Sequence, residues 1–181
     1  MEFPRREKTK KDYKFVEKGD IKLSTTNLYK KLGNIKLGKF SLIEENVILR
    51  GDLNNIRFGG NVILCENSIL HPGLSQANKP YDYKNIDIGS YCFIGKNCII
   101  SSPSIGDHVY IGDNCILSDR TIIENNVKIL DNTYVPTDSK LLSNGIYGGY
   151  PAQLLGMVNE DFPKYIEYLC NDYYEKLVII K

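Results

Sequence analysis

The sequence has no tryptophan, two histidines, two methionines and no long apolar run. A membrane-spanning helix needs about 20 consecutive apolar residues, so membrane insertion is not expected. The five cysteines are odd in number and contain no Cys-x-x-Cys pair, which argues against a disulfide framework or a zinc finger. The first residues, Met-Glu-Phe-Pro-Arg-Arg-Glu-Lys, carry charge where a signal peptide carries its apolar stretch, so secretion is not expected and the thiols are read as reduced. Neither sign of charge dominates: the net charge is +1. It is unevenly placed, with 12 Lys/Arg against 5 Asp/Glu in residues 1–40 and 11 against 17 in residues 41–181. No nucleic-acid motif accompanies the basic head, whose lysines alternate with Glu7, Asp12 and Glu17. Nucleic acid is therefore not an expected partner, and a solvated or protein-docking head is. With 181 residues, the chain is long enough to bury one core without staples.

What is present is a repeat. Aliphatic residues recur at Ile88, Ile94, Ile100, Ile105, Ile111, Leu117, Ile123, Ile129 and Val135, in steps of six with a single step of five. Glycine often follows (Gly89, Gly95, Gly106, Gly112), and a small or β-branched residue stands four places on, at Cys92, Cys98, Val109, Cys115, Thr121, Val127 and Thr133. A weaker copy runs through Leu37, Ile43 and Leu49, then Phe58, Leu64 and Leu70. A helical period of 3.6 would scatter these residues around an axis, and each interior glycine would cost it about 1 kcal/mol. A hexapeptide period fits short strands joined by sharp turns, three to a triangular coil. The aliphatic and the small residue then face inward, and Gly, Asn and Asp supply turns with positive φ. The expected fold is mostly β, a parallel β-helix, left-handed by resemblance to hexapeptide-repeat proteins.

The phase breaks between Leu70 and Ile88, where residues 71–87 are rich in turn formers and read as a loop ejected from one corner. Such loops often carry function, which directs attention to His71, Pro72, Tyr81 and Tyr83. After Val135 the register fades. From Asn159 a helical pattern begins, with Pro163 in its first turn and Phe162, Ile166, Leu169, Tyr173 and Leu177 on one face. The expected organisation is a basic segment 1–34 leading into the first coil, a β-helix over 35–156, and a C-terminal helix over 157–181 packed on the prism.

Three functional readings compete. The stretch Arg50-Gly-Asp52, Asn55-Ile-Arg-Phe-Gly59 and His71 resembles the γ-carbonic anhydrase signature, with His71 where that family places its first zinc ligand. Its other two histidines should lie in Ile94-Gly-Lys96-Asn-Cys-Ile-Ile-Ser101, where Lys96 and Ser101 stand instead, and Cys65 replaces the glutamine near the metal. One histidine cannot supply the three protein ligands of catalytic zinc, so at most a degenerate metal protein is implied. His108 falls at an outward turn. A hexapeptide acyltransferase could use His71 as general base, but the sequence shows no partner to orient it. Cys92, Cys98 and Cys115 occupy the small inward position and are read as packing.

The third reading covers nearly the whole chain. Ile48-Leu-Arg-Gly-Asp-Leu53, Asn55-Ile-Arg-Phe-Gly59, Ile88-Gly89, the coil from Ile94 to Ile99, Lys128-Ile-Leu-Asp-Asn-Thr133 with Val135-Pro136, and Tyr173-Tyr-Glu-Lys-Leu177 occur in an order that resembles the dynactin subunit 5 family. That family is a non-catalytic branch of the γ-carbonic-anhydrase-like hexapeptide proteins. The resemblance implies a structural subunit of the dynactin pointed-end complex, without enzymatic activity, cofactor or metal, in the cytoplasm and cytoskeleton. Implied partners are dynactin subunit 6, the pointed-end actin-related protein and dynein cargo adaptors, in microtubule-based transport. In γ-class relatives the residues matching Arg50 and Asp52 stabilise subunit contacts, which implies a subunit interface for them here, with an intrachain ion pair as the alternative. Self-association of the isolated chain is open. The 71–87 loop and the basic head depart from the family pattern.

Overall fold

The computed structural model describes residues 34–76 and 79–176, together with the backbone of 13–16 and 21–24. The expectations for the basic head, 1–34, and for Leu177 lie outside the described residues, apart from those two strands and Asn34.

The chain winds as a parallel β-solenoid with three faces. The first is a nine-stranded sheet of β1 (Tyr13–Val16), β2 (Ile21–Ser24), β4 (Leu42–Ile43), β7 (Ile63–Leu64), β10 (Phe93–Ile94), β13 (Tyr110–Ile111), β16 (Lys128–Ile129), β19 (Gly145–Gly148) and β20 (Gln153–Met157). The second has six strands: β3 (Ile35–Lys36), β6 (Ile56–Phe58), β9 (Ile86–Ile88), β12 (Ser104–Ile105), β15 (Ile122–Ile123) and β18 (Lys140–Leu141). The third has five: β5 (Ile48–Leu49), β8 (Ile69–Leu70), β11 (Ile99–Ile100), β14 (Ile116–Leu117) and β17 (Tyr134–Val135). The hexapeptide aliphatics stack in register, as in Leu49, Leu70, Ile100, Leu117 and Val135 on the third face. They are buried, as are the small residues Cys92, Cys98, Val109, Cys115, Thr121, Val127 and Thr133. Burying each aliphatic contributes about 1.5–3 kcal/mol, and the ladder above and below satisfies its backbone. The phase that weakens after Val135 nevertheless continues through β18 into β19, where β20 folds back antiparallel.

Turn chemistry differs from the sequence expectation in one respect. The positive-φ corners belong mainly to asparagine, as at Asn46, Asn67, Asn97, Asn114, Asn126, Asn132 and Asn144, and among the glycines of the described residues only Gly149 is left-handed. Asparagine tolerates this region, and its amide bonds to the next coil: Asn97 Nδ2 donates to Asn114 Oδ1 at 3.1 Å, and Asn114 Nδ2 to Asn132 Oδ1 at 3.2 Å. The repeat glycines serve close approach instead. A Cβ on Gly106 would lie 2.3 Å from Asn125 Oδ1 and 2.9 Å from Asn125 N.

The last coil is held by Glu124, whose carboxylate meets Lys140 Nζ at 2.8 Å and accepts from Ser143 N at 3.0 Å and Ser143 Oγ at 2.9 Å. The lysine and these donors push its pKa down to about 2. A depressed carboxylate contributes stability above its unfolded value of about 4.3, and loses it as pH falls through the folded value. Thermal melts should therefore show Glu124→Gln modestly less stable than the parent at pH 6, with the gap closing toward pH 2. A gap unchanged by pH would refute this account.

The helix α1 (Phe162–Lys176) lies across the first face. Phe162, Ile166 and Cys170 are buried against Leu42, Ile63 and Cys65, with Leu169 and Tyr173 partly buried beside them. Cys170 thus belongs to the apolar face. Polar ties fix the helix: His108 Nε2 pairs with Glu167 Oε1 at 2.9 Å, Asn61 Nδ2 donates to Asn171 Oδ1 at 2.7 Å, and Tyr173 Oη donates to buried Glu44 at 3.1 Å.

Candidate functional site: an aliphatic face and its cleft

In each two-residue strand one side chain points in and the other out, so each face has a readable outer column. On the first face the outward Leu42, Ile63, Phe93 and Tyr110 are covered by α1. On the second face Lys36, Arg57, Asp87, Ser104, Ile122 and Lys140 make a mainly polar column, with Arg57 Nη1 3.3 Å from Asp87 Oδ1. On the third face the column is Ile48, Ile69, Ile99, Ile116 and Tyr134. Tyr134 packs on Tyr150 of the β19–β20 turn, with ring centroids 4.8 Å apart, whereas no helix or strand of the described structure covers the four isoleucines, of which Ile48 and Ile99 are 46% and 39% exposed. A run of uncharged, outward side chains across five stacked strands is the kind of patch that marks an interaction surface. Sequence reading followed only the inward position. The signal was the residue just before it, aliphatic in every third hexapeptide from Ile48 to Ile116.

A cleft of about 390 Å³ opens on this face, lined by Ile48, Arg50, Leu53, Ile69, His71 and Tyr83. Leu53, four places after the repeat aliphatic Leu49 and so at the position that is elsewhere small and buried, is only partly buried and forms part of its wall. The 71–87 segment forms the rim. It is pinned by a Leu74–Tyr83 bridge, by Lys84 N donating to Gly73 O at 2.8 Å, and by Asn54 Nδ2 donating to Tyr83 O at 2.6 Å. The solenoid resumes at Ile86. Pro72 is buried, Tyr81 is 85% exposed at the tip, and Tyr83 faces the cleft.

Arg50 and Asp52 form a bidentate pair, with Nε to Oδ1 and Nη2 to Oδ2 both 2.8 Å. Asp52 holds the Arg50 guanidinium above its usual pKa. The fork is therefore pre-formed at the mouth of the cleft. His71 Nδ1 lies 3.2 Å from the Pro72 carbonyl, and Nε2 lies 3.1 Å from Ser101 Oγ. A carbonyl only accepts, so Nδ1 carries the proton and the Nε2 lone pair takes the serine hydroxyl. Nε2, the nitrogen left to meet a metal, faces the Ser101 hydroxyl. Lys96, at the second ligand position, points to Glu66 at 3.2 Å. Among the described residues no group of three His, Cys, Asp or Glu side chains could hold a metal ion. The residues present do not fit zinc: one imidazole, one hydroxyl and an ammonium do not make a tetrahedral site. Metal analysis of the purified chain should find no stoichiometric zinc, and about one zinc per chain would overturn this.

The cysteines are all free and buried. Burial pushes the Cys92 thiol up, and that of Cys170 up to about 12. That favours packing over nucleophilic roles for these two, since the thiolate is the reactive form, whereas the hydrogen bond with Cys98 pulls the Cys115 thiol down.

The three-faced hexapeptide solenoid with its covering helix defines a β-helix protein of the hexapeptide-repeat class. Within that class, a family model described as dynactin subunit 5 matches residues 1–181, and the chain belongs to that family. It is 35% identical over 84 residues to dynactin subunit 5 of Dictyostelium discoideum, covering 46% of this chain and 42% of that protein. It is 24% identical over 142 residues to the mitochondrial gamma carbonic anhydrase 2 of Arabidopsis thaliana, covering 78% of this chain and 50% of that protein. An uncharacterized Dictyostelium discoideum protein is 30% identical over 137 residues, covering 75% and 54%. The chain spans about half the length of these curated relatives. Among solved structures, a hexapeptide transferase family protein from Anaplasma phagocytophilum superposes with a TM-score of 0.71 at 21% identity, over 89% of this chain and 93% of that one. That likeness is one of fold and carries no activity.

Proposed function

We propose that this chain is a non-catalytic structural subunit of the dynactin pointed-end complex, and that its third face and cleft are the docking surface for a second β-helix. The observation that carries the reading is the uncovered aliphatic column beside a cleft whose histidine is tied to Ser101. A flat, rigid, apolar sheet is suited to large contact at small ordering cost. Arg50 and Asp52, already paired, would present their remaining donor and acceptor sites to the partner at the rim. On this reading the β-helix partner is dynactin subunit 6, with the pointed-end actin-related protein and dynein cargo adaptors as further partners. The setting is microtubule-based transport in the cytoplasm, on the cytoskeleton.

The test is mass spectrometry of proteins co-purifying with the chain from its native cell, after size fractionation. A very large complex holding actin-related proteins and a second β-helix subunit supports the reading, and recovery alone as a homo-oligomer refutes it. Arg50→Ala with Asp52→Ala should leave the melting profile close to that of the parent and weaken association about tenfold, as for a moderate interface residue. Undiminished co-purification would remove these two residues from the interface.

A further inference from the structure

Two of the buried thiols are stacked one coil apart. The small inward position at the corner before the third face is filled in turn by Ser68, Cys98, Cys115 and Thr133, which precede the paired Ile69, Ile99, Ile116 and Tyr134. All four are buried. Ile99 N donates to Cys115 O at 2.9 Å, so the two cysteine corners are tied directly. Neighbouring strands lie about 4.8 Å apart, inside the Cα separation of roughly 4.4–6.8 Å that a disulfide spans. Both side chains point inward from the same repeat position, so their Cβ directions agree, which a disulfide also requires. The sulfurs meet over a single turn: Cys98 Sγ donates to Gly112 O at 3.1 Å, and Cys115 Sγ lies 3.7 Å from Asp113 O.

The other cysteines are placed differently. Cys92 holds the equivalent position at another corner, with Sγ 3.1 Å from Gly106 O, but its neighbours in the column are Val62 and Val109. Cys65 and Cys170 lie beneath α1. Among the described residues no other two cysteines are stacked in consecutive coils. The contact is also chemically unequal. A thiol has one proton, and Cys98 can turn its own from Gly112 O to the Cys115 sulfur once that sulfur is a thiolate. This contact draws the Cys115 thiol below its usual pKa and, with burial, raises that of Cys98. The thiolate is the attacking form, so Cys115 is the attacking group and Cys98 the resolving one.

We propose that Cys98 and Cys115 are an oxidation site at which hydrogen peroxide makes a disulfide between two coils of the folded solenoid. The Cys115 thiolate attacks one peroxide oxygen, the O–O bond breaks, and with one proton taken up the products are a sulfenic acid and water. The Cys98 sulfur then attacks the Cys115 sulfur, the S–O bond breaks, and the Cys98 proton leaves with the hydroxide as a second water. Each sulfur gives up one electron, and the peroxide is reduced to two waters. Both sulfurs are closed to solvent, so the oxidant enters when the corner opens locally. The pair lies behind Ile99 and Ile116, but the inference does not rest on the docking role of that face.

The experiment uses the full chain, reduced, then held folded with a small excess of hydrogen peroxide, stopped with catalase and alkylated in denaturant. Trypsin cuts after Lys96 and Arg120 and releases both cysteines in one peptide. In the parent that peptide is expected two hydrogens lighter and closed to alkylation, while Cys92 is alkylated. Cys98→Ser and Cys115→Thr introduce side chains that the same column already holds at Ser68 and Thr133, so both variants are expected to fold. Cys98→Ser should lose the cross-link and leave Cys115 carrying oxygen, and Cys115→Thr should leave Cys98 open to alkylation. The oxidised parent should melt roughly 5 °C or more above the reduced one, as for a closed loop of this length. A peptide alkylated at both cysteines, oxygen on Cys115 of the parent without a cross-link, or a disulfide to Cys92 overturns the proposal. So does an unchanged or lower melt, since the bond would then not tie folded coils together.

Discussion

Gly59→Ala is expected to destabilise the chain by about 3 kcal/mol or more, at the upper end of what overpacking costs, lowering the melting temperature by roughly 10 °C for a chain of this size. The added Cβ would lie 2.7 Å from both Gly89 C and Ser90 N, and 2.6 Å from Ser90 Oγ. The serine hydroxyl could rotate away, but the backbone cannot. Gly59 N donates to Ile88 O at 2.8 Å, Gly89 N to Ile105 O at 2.8 Å, and Tyr91 N to Gly60 O at 2.9 Å, so moving one coil breaks the ladder to the next. Gly60→Ala is the matched control. Its Cβ would meet only Lys39 O, at an ordinary 3.5 Å, and should shift the melt by little. Calorimetry on the pair decides the matter: equal melting temperatures would show that the coils can separate locally without cost.

Replacing Ile99 and Ile116 with lysine together should abolish association at the third face, by about a hundredfold or more, while the isolated chain keeps its melting temperature and its circular dichroism. Both side chains point outward from adjacent strands, so the stacked core behind them, Ile100 on Leu117, is untouched. In the isolated chain an added lysine keeps its ammonium in water at little cost. Against an apolar partner the same ammonium would be buried without a counter-charge, and an unpaired buried charge is strongly unfavourable. Ile122→Lys is the control, since Ile122 is as exposed, at 43%, but sits on the polar face between Ser104 and Lys140. Quantitative pull-down with the complex should separate the two. Equal loss would mean that both faces are used, and no loss in either would remove the third face from the interface.

Much of the fold was legible because its period is local. Ile94, Ile111 and Ile129 announce the inner wall by spacing alone, the cysteines mark the narrow inner positions, and the break after Leu70 marks the departure of the loop. The step of five, from Ile100 to Ile105, is also explained: the corner there is closed by buried Ser101 and Ser102, with Ser102 Oγ donating to Thr121 O at 3.0 Å. The glycines were identified as necessary, but for a different reason from the one that holds. Sequence gives the φ preference of a residue, whereas the demand on Gly59 and Gly106 comes from a neighbour one coil away.

The candidate site was legible only in pieces. His71, Arg50, Asp52 and Tyr83 could be singled out, and the absence of the second and third metal histidines could be read directly. That Ser101 faces Nε2 of His71, that Leu53 leaves the core for the wall of the cleft, and that Ile48, Ile69, Ile99 and Ile116 align as one uncovered column depend on winding. So do the ties of Glu44 to Tyr173 and of His108 to Glu167, which fix the helix over the first face and thereby leave the third one bare. By itself the sequence determined a hexapeptide solenoid with an inward aliphatic wall, one ejected loop and one amphipathic helix, because strand and helix periods act between near neighbours. Only the tertiary structure decided which face the helix covers and what meets across a cleft. Each coil brings together residues between 17 and 30 positions apart, and no local pattern encodes that distance.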